Sequence, residues 1–232
     1  MKSLATRALG SLLDLVFPSS CVHCGDDGAL LCDRCIAASQ DLGSNVCRRC
    51  ALPMSKPSTC SRCADSRPAS DRMVAAYQMD GPIRSAVHAL KYEGLTAIAP
   101  VLGGLLNDVY ALDRLEVDFI VPVPLHSRRM RERGFNQAEL LAGPVAAVRG
   151  LPIRTDVLKR VRNTEPQVAT AGERERIASM RGAFVASGDL EGADMLLVDD
   201  VVTTTSTVNS AASALKAAGA GRVAVLALAR EL

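Results

Sequence analysis

The chain has 232 residues, with 27 Lys and Arg against 25 Asp and Glu and a formal charge of +2. That balance excludes a histone-like polycation and a polyacidic tail, so an anionic partner must meet a local patch. A content of 48% apolar residues suits a buried core, while 3% aromatic residues and no Trp leave few base-stacking platforms.

At the N-terminus Lys2 and Arg7 precede Leu9, Leu12, Leu13 and Val16, which recur at helical spacing. Asp14 interrupts the run and no small-residue cleavage site follows, so residues 1–20 read as a short amphipathic helix rather than a signal peptide or a membrane-surface helix. No apolar stretch is long enough for an α-helical span, and a reducing cytoplasm is the expected compartment.

All eight cysteines follow in four C-x-x-C pairs: Cys21 and Cys24, Cys32 and Cys35, Cys47 and Cys50, Cys60 and Cys63. A two-residue spacer lets both sulfurs of a turn face one ion, and two such turns complete the tetrahedron that Zn²⁺ prefers. Iron–sulfur ligation and redox-active dithiols are the alternatives, less natural when every pair is matched. Short loop closure favours sequential pairing, the first four cysteines on one ion and the last four on another. Sites closed by protein ligands hold structural zinc, and His23, inside a complete pair, is expected to be a bystander. Eight thiolates remove eight charges and two Zn²⁺ return four, so the metallated chain carries −2 rather than +2.

Composition shifts at Ser66, Arg67, Pro68, Ala69 and Ser70, which separates a cysteine module at 21–66 from a domain at 67–232. Strands are expected at 73–79, 117–123, 194–200 and 223–228. Helices are expected from about 83 to 91, then at 97–112, 136–148 and 207–218, the last stopped by Gly219 and Gly221. Such alternation implies an α/β fold with a mostly parallel sheet covered by helices on both faces. The bonds 121–122 and 123–124 precede prolines and are candidates for cis geometry. Residues 163–176 are polar, with Pro166 and Gly172, and read as a mobile loop over a site.

The most informative stretch runs from Met195 through Leu196, Leu197 and Val198 to Asp199 and Asp200, and on through Thr203, Thr204, Thr205, Ser206 and Thr207. A buried parallel strand would carry the two carboxylates to the carboxyl end of the sheet, where open α/β folds bind ligands. Ionised carboxylates accept hydrogen bonds from sugar hydroxyls, and a hydroxyl-rich turn entering a helix offers N–H groups and the dipole to a phosphate. Simple helix capping by Ser206 or Thr207 is the bland alternative. A purine-nucleotide P-loop is excluded by the missing Gly-x4-Gly-Lys.

This stretch resembles the phosphoribosyl pyrophosphate (PRPP) motif of type I phosphoribosyltransferases. The cysteine module, Gly81-Pro82-Ile83-Arg84, Leu90-Lys91-Tyr92-Glu93-Gly94, Pro122-Val123-Pro124-Leu125-His126, Arg133-Gly134-Phe135-Asn136-Gln137 and Pro166-Gln167 narrow the resemblance to the ComF family of competence-associated proteins. The resemblance implies a type I phosphoribosyltransferase fold behind a double zinc ribbon. It also implies Mg²⁺-dependent transfer of phosphoribose from PRPP to an unidentified acceptor, with release of pyrophosphate. In that reading Asp199 and Asp200 hold the ribose and act in catalysis, while Thr203, Thr204, Thr205, Ser206 and Thr207 hold the 5′-phosphate. Family motifs usually carry Gly where Thr205 stands, and a positive φ there would be costly for a β-branched residue.

From 128 to 181 there are twelve Lys and Arg against six Asp and Glu. The resemblance places a pyrophosphate loop at Pro124, Leu125, His126, Arg128, Arg129 and Arg133, and arginine forks suit its oxygens. His88 is expected to pack on its own helix. The alternative function is a non-catalytic PRPP sensor, or an accessory protein of DNA uptake that binds single-stranded DNA or DNA-uptake proteins.

Overall fold

The computed structural model describes residues 19–113, 115–162, 182–188 and 190–232. The expected helix at 1–20 and the expected loop at 163–176 therefore lie almost wholly outside the described residues.

Each ribbon is a pair of knuckles followed by one short helix, α1 (Asp33–Ala38) or α2 (Ser61–Ser66), and the N-cap of each helix is a cysteine, Cys32 or Cys60. The third cysteine of each set thus ends the extended chain and the fourth sits one helical turn on. After α2 the chain forms β1 (Arg72–Gln78), α3 (Gly81–Tyr92), a 3₁₀ turn (Thr96–Ile98), α4 (Ala99–Asp113) and β2 (Phe119–Pro122). Then come α5 (Ser127–Arg133), α6 (Gln137–Arg149), β3 (Leu158–Arg160), β4 (Phe184–Ala186), β5 (Met195–Val202), α7 (Ser206–Ala217) and β6 (Val223–Arg230).

Four strands form one parallel sheet in the order β1-β6-β5-β2, with Asp199 beside Ala227 and Gln78 beside Arg230. Alternation sorts the strand residues between two cores. Leu196, Val198, Leu226 and Ile120 pack under α3, α4 and α6, whereas Leu197, Val225, Val121 and Ala75 pack under α7 and the β3–β4 pair. Both faces are therefore dry, which is why β5 begins as four apolar residues without alternation.

The ribbons extend this sandwich. Cys21, Leu31 and Cys35 of the first join the helix-covered core, and Val46 and Ala51 of the second join the opposite core. The segment between them crosses the outer edge of β1: Leu42 donates its N–H to the Ala76 carbonyl and Gln78 donates to the Gln40 carbonyl. At the other edge Ile120 of β2 bridges Ile153. Neither edge strand is left as an open ladder, the feature that otherwise invites intermolecular pairing.

The expected order of elements holds, with differences at their ends. The 3₁₀ turn delays α4 to Ala99, and β2 is confined to the four residues Phe119–Pro122. Helix α5 and the antiparallel β3–β4 pair were not expected from the pattern. No cis peptide bond occurs among the described residues, so 121–122 and 123–124 are both trans.

Candidate functional site

Strand β5 brings Asp199 and Asp200 to the carboxyl edge of the sheet, but alternation projects them toward opposite faces. Asp200 is 6% exposed, and Lys91, at the end of α3, reaches it with Nζ at 2.9 Å from Oδ2. On that face Arg133 also feels the Asp200 charge, while on the other face Arg160 of β3 feels Asp199 and the like charge of Arg129. Burial pulls both Arg133 and Arg160 below the usual guanidinium range. Burial, then the neighbouring Asp200 charge, pushes Asp199 up to about 8. The two acids are thus held apart by the strand, close enough to repel, each with cations nearby.

Beyond β5 the chain turns at Thr205, whose φ of 64° is left-handed, and α7 begins. Thr205 occupies the N-cap, yet its side chain makes no capping hydrogen bond; the hydroxyls of Thr204 and Ser206 lie 2.9 Å from one another instead. Ser206 and Thr207 are inside the helix and do not serve as its cap, which removes the bland reading of the hydroxyl run. An uncapped helix start lined with hydroxyls is the arrangement that receives an anion.

Pro124, Leu125 and His126 leave the end of β2 half-buried, and His126 caps α5 by accepting the Arg128 N–H at Nδ1, 3.3 Å away. The Asn136 side-chain amide ties this turn down by donating to the Val123 carbonyl at 3.1 Å. Helical spacing divides the arginines of α5. Arg128 faces outward, its Nε 2.8 Å from Glu132, whereas Arg133 feels the Asp200 charge and Arg129, four residues before it, lies near both Arg133 and Arg160. Arg133 lies 5.8 Å from the centre of the Tyr92 ring. His88 packs on its own helix as expected, tilted over Tyr92 one turn on, with Nδ1 3.4 Å from Glu93. Lys91 and Arg160 are site residues that the motif reading left out. Lys91 stood inside a quoted motif, but nothing local marked Arg160.

The cysteines cluster in sequential fours, and in each set the four sulfurs lie within 4.8 Å of one another. Burial alone would raise the Cys21 thiol, but the N–H groups of Cys24, Cys32 and His23 outweigh it and bring it to about 6. Cys47 is brought to about 6 in the same way, against burial, by the N–H groups of Cys60 and Arg49. Cys35, by contrast, is pushed up to about 12 by burial and its sulfur neighbours, so a cation is needed to ionise the whole set. Four soft sulfurs with no open position fit two structural Zn²⁺ ions. The His23 ring stands apart, with Nδ1 3.0 Å from the Ser85 hydroxyl, and so docks the first knuckle on α3.

Residues 12–64 match the double zinc ribbon domain family and residues 132–231 the phosphoribosyl transferase domain family. The DNA utilization protein YhgH of Salmonella typhimurium is 36% identical over 94% of this chain and 100% of its own length. Competence protein F of Haemophilus influenzae is 28% identical over 92% of this chain and 98% of its own, and Competence protein ComFC of Bacillus subtilis is 24% identical over 80% and 77%. The chain belongs to the ComF family. In ComF terms the ribbons and the phosphoribosyltransferase-like sheet share both hydrophobic cores rather than hanging together by a linker. No described helix is long and apolar enough to cross a membrane.

Proposed function

We propose that this ComF protein binds PRPP at the carboxyl edge of its sheet and transfers the phosphoribosyl group to an acceptor, in the service of DNA uptake or utilisation. The uncapped start of α7, behind left-handed Thr205 and beside Asp199 and Asp200, carries this reading. The 5′-phosphate would lie against the N–H groups of α7 and the hydroxyls of Thr203, Thr204, Thr205, Ser206 and Thr207. The ribose hydroxyls would donate to Asp199 and Asp200, and Arg129, Arg133 and the 124–126 turn would receive pyrophosphate. Arg128 lends that turn its backbone N–H, and its exposed side chain pairs with Glu132 at 2.8 Å.

In the transfer, the bond from the anomeric carbon to pyrophosphate breaks and a bond to the acceptor forms. The ring gains positive charge that the Asp200 carboxylate stabilises while Asp199 holds the ribose hydroxyls, and the departing negative charge is met by the arginines. Among the described residues only cysteines form a metal-binding cluster, so Mg²⁺ would travel with PRPP and supply charge neutralisation on its pyrophosphate. Relatives named for DNA utilization and competence supply the link to DNA.

A second reading, binding of single-stranded DNA, is favoured by Tyr92, which is 69% exposed beside Arg133. One experiment separates the two. Saturating PRPP with Mg²⁺ stabilises a binder by roughly 2–3 kcal/mol, which raises Tm by about 5–10 °C. The wild type should show that shift and the double variant Asp199→Asn, Asp200→Asn should not. Equal responses, or none in either, would sink the PRPP reading. Single-strand affinity with a steep salt dependence would then support the second.

A further inference from the structure

Arg230 ends β6 and is the largest of the fully buried side chains, 2% exposed. A guanidinium removed from water needs polar partners close by. Its partners are carbonyls from distant parts of the chain. Nε donates to the Cys50 carbonyl at 2.9 Å, and Nη1 donates to the Val202 carbonyl at 3.1 Å and to the carbonyls of Thr203 and Glu231. One side of the fork therefore grips the Cys47–Cys50 knuckle, and the other grips the point where β5 becomes the hydroxyl loop.

Two observations show that both ends of this bridge are held firmly. Cys50 precedes Ala51 at φ 55°, and Thr203 stands two residues before Thr205 at φ 64°; both are left-handed without being glycine. Such backbones persist only where the surroundings over-determine them. The same knuckle is also fixed to the sheet, because Met73 donates its N–H to the Arg48 carbonyl at 2.9 Å and Ala51 is fully buried.

We propose that Arg230 is a positioning residue that couples the second metal centre, Cys47, Cys50, Cys60 and Cys63, to the hydroxyl loop, so that ligand binding at the loop and metal retention at that centre strengthen each other. The proposal rests on the reading that the loop receives the phosphate of PRPP. Coupling between two binding equilibria is reciprocal: whatever factor the metal adds to PRPP affinity, PRPP adds to metal affinity. Among the described residues no such bridge joins the first centre to the loop, which makes that centre the internal control.

The test uses the zinc-loaded full chain. PRPP binding with Mg²⁺ is measured by calorimetry. Zinc is then withdrawn by a chelator with and without PRPP, the released cysteines are alkylated, and peptides carrying Cys21 to Cys35 and Cys47 to Cys63 are quantified by mass spectrometry. PRPP should slow alkylation of the second set at least about five-fold and leave the first set unchanged. In Arg230→Lys, which keeps the charge but replaces the fork with one point donor, the selective protection should fall below about two-fold. Equal protection of both sets, as global stabilisation would give, overturns the coupling, and so does protection of neither. Selective protection that survives in Arg230→Lys overturns the role of Arg230. The wild-type measurement decides the coupling even if the variant does not fold. Absence of PRPP binding in calorimetry overturns the loop reading and the coupling with it, whereas binding without selective protection overturns the coupling alone.

Discussion

Thr205 sits at φ 64°, a left-handed backbone that costs a β-branched residue about 1–2 kcal/mol. The strain aims the Thr204 and Ser206 hydroxyls at one spot and leaves the start of α7 without a side-chain cap. Thr205→Gly should remove that cost and raise Tm by roughly 2–4 °C in calorimetry; a lower Tm would show that contacts of the threonine side chain outweigh its strain. Asp199 offers a second test. Its folded value, about 8, stands above the ordinary carboxylate range, so the folded state holds a proton that the unfolded chain has already lost at neutral pH. That contribution to stability is complete below the unfolded value and drains away as pH rises toward 8. Urea unfolding between pH 6 and pH 8 should show the wild type losing stability relative to Asp199→Asn, which has no proton to give up. Parallel curves would show that Asp199 does not titrate in that window.

Among the elements, α4 and α6 pack closely, and their contact depends on a residue without a side chain. A Cβ added at Gly103 would lie 2.6 Å from Pro144 Cγ and 3.1 Å from the Leu141 carbonyl. Pro144 stands inside α6, and its carbonyl accepts from the Asn107 amide of α4 at 3.1 Å. Ala is the better helix former, yet Gly103→Ala should destabilise by about 1–3 kcal/mol in urea unfolding because the two helices must part. A neutral outcome would mean that the Pro144 ring can move aside. The same contrast between local and long-range signals decides what could be read from the sequence. Helices α3, α6 and α7 were legible because their apolar periodicity is local, and β5 because its apolar run is continuous. The β3–β4 pair was not, since three residues such as Leu158, Lys159 and Arg160 carry no period. Asp199, Asp200 and the hydroxyl run were legible because they are consecutive. Lys91 and Arg160 reach the carboxylates from α3 and β3, and such meetings depend on topology rather than spacing. The last strand was expected to end at 228, but it continues to Arg230, whose charge is tolerated only because carbonyls from the knuckle and the loop surround it.

At the scale of the molecule, the two ribbons hold the sheet from both faces, one in each core, with the segment between them laid along β1. Structural zinc contributes roughly 10 kcal/mol or more to the folding of such modules, so its removal should be felt beyond the knuckles. Metal analysis should find two zinc ions per chain, and chelation under reducing conditions should lower Tm by at least about 10 °C. Loss of both ions without a change in Tm would show that the ribbons are passengers on the sheet.

The strip of chain along β1 also bears on the order in which the protein can assemble. β1 has two neighbours, the 40–42 segment made before it and β6, which is the last strand to be translated. About 150 residues separate β1 from β6, a wait of roughly 10–30 s at ordinary rates of synthesis. During that interval the 40–42 segment can already cover one edge of β1, and α3 and α4 can cover its face, while the edge that awaits β6 stays unpaired.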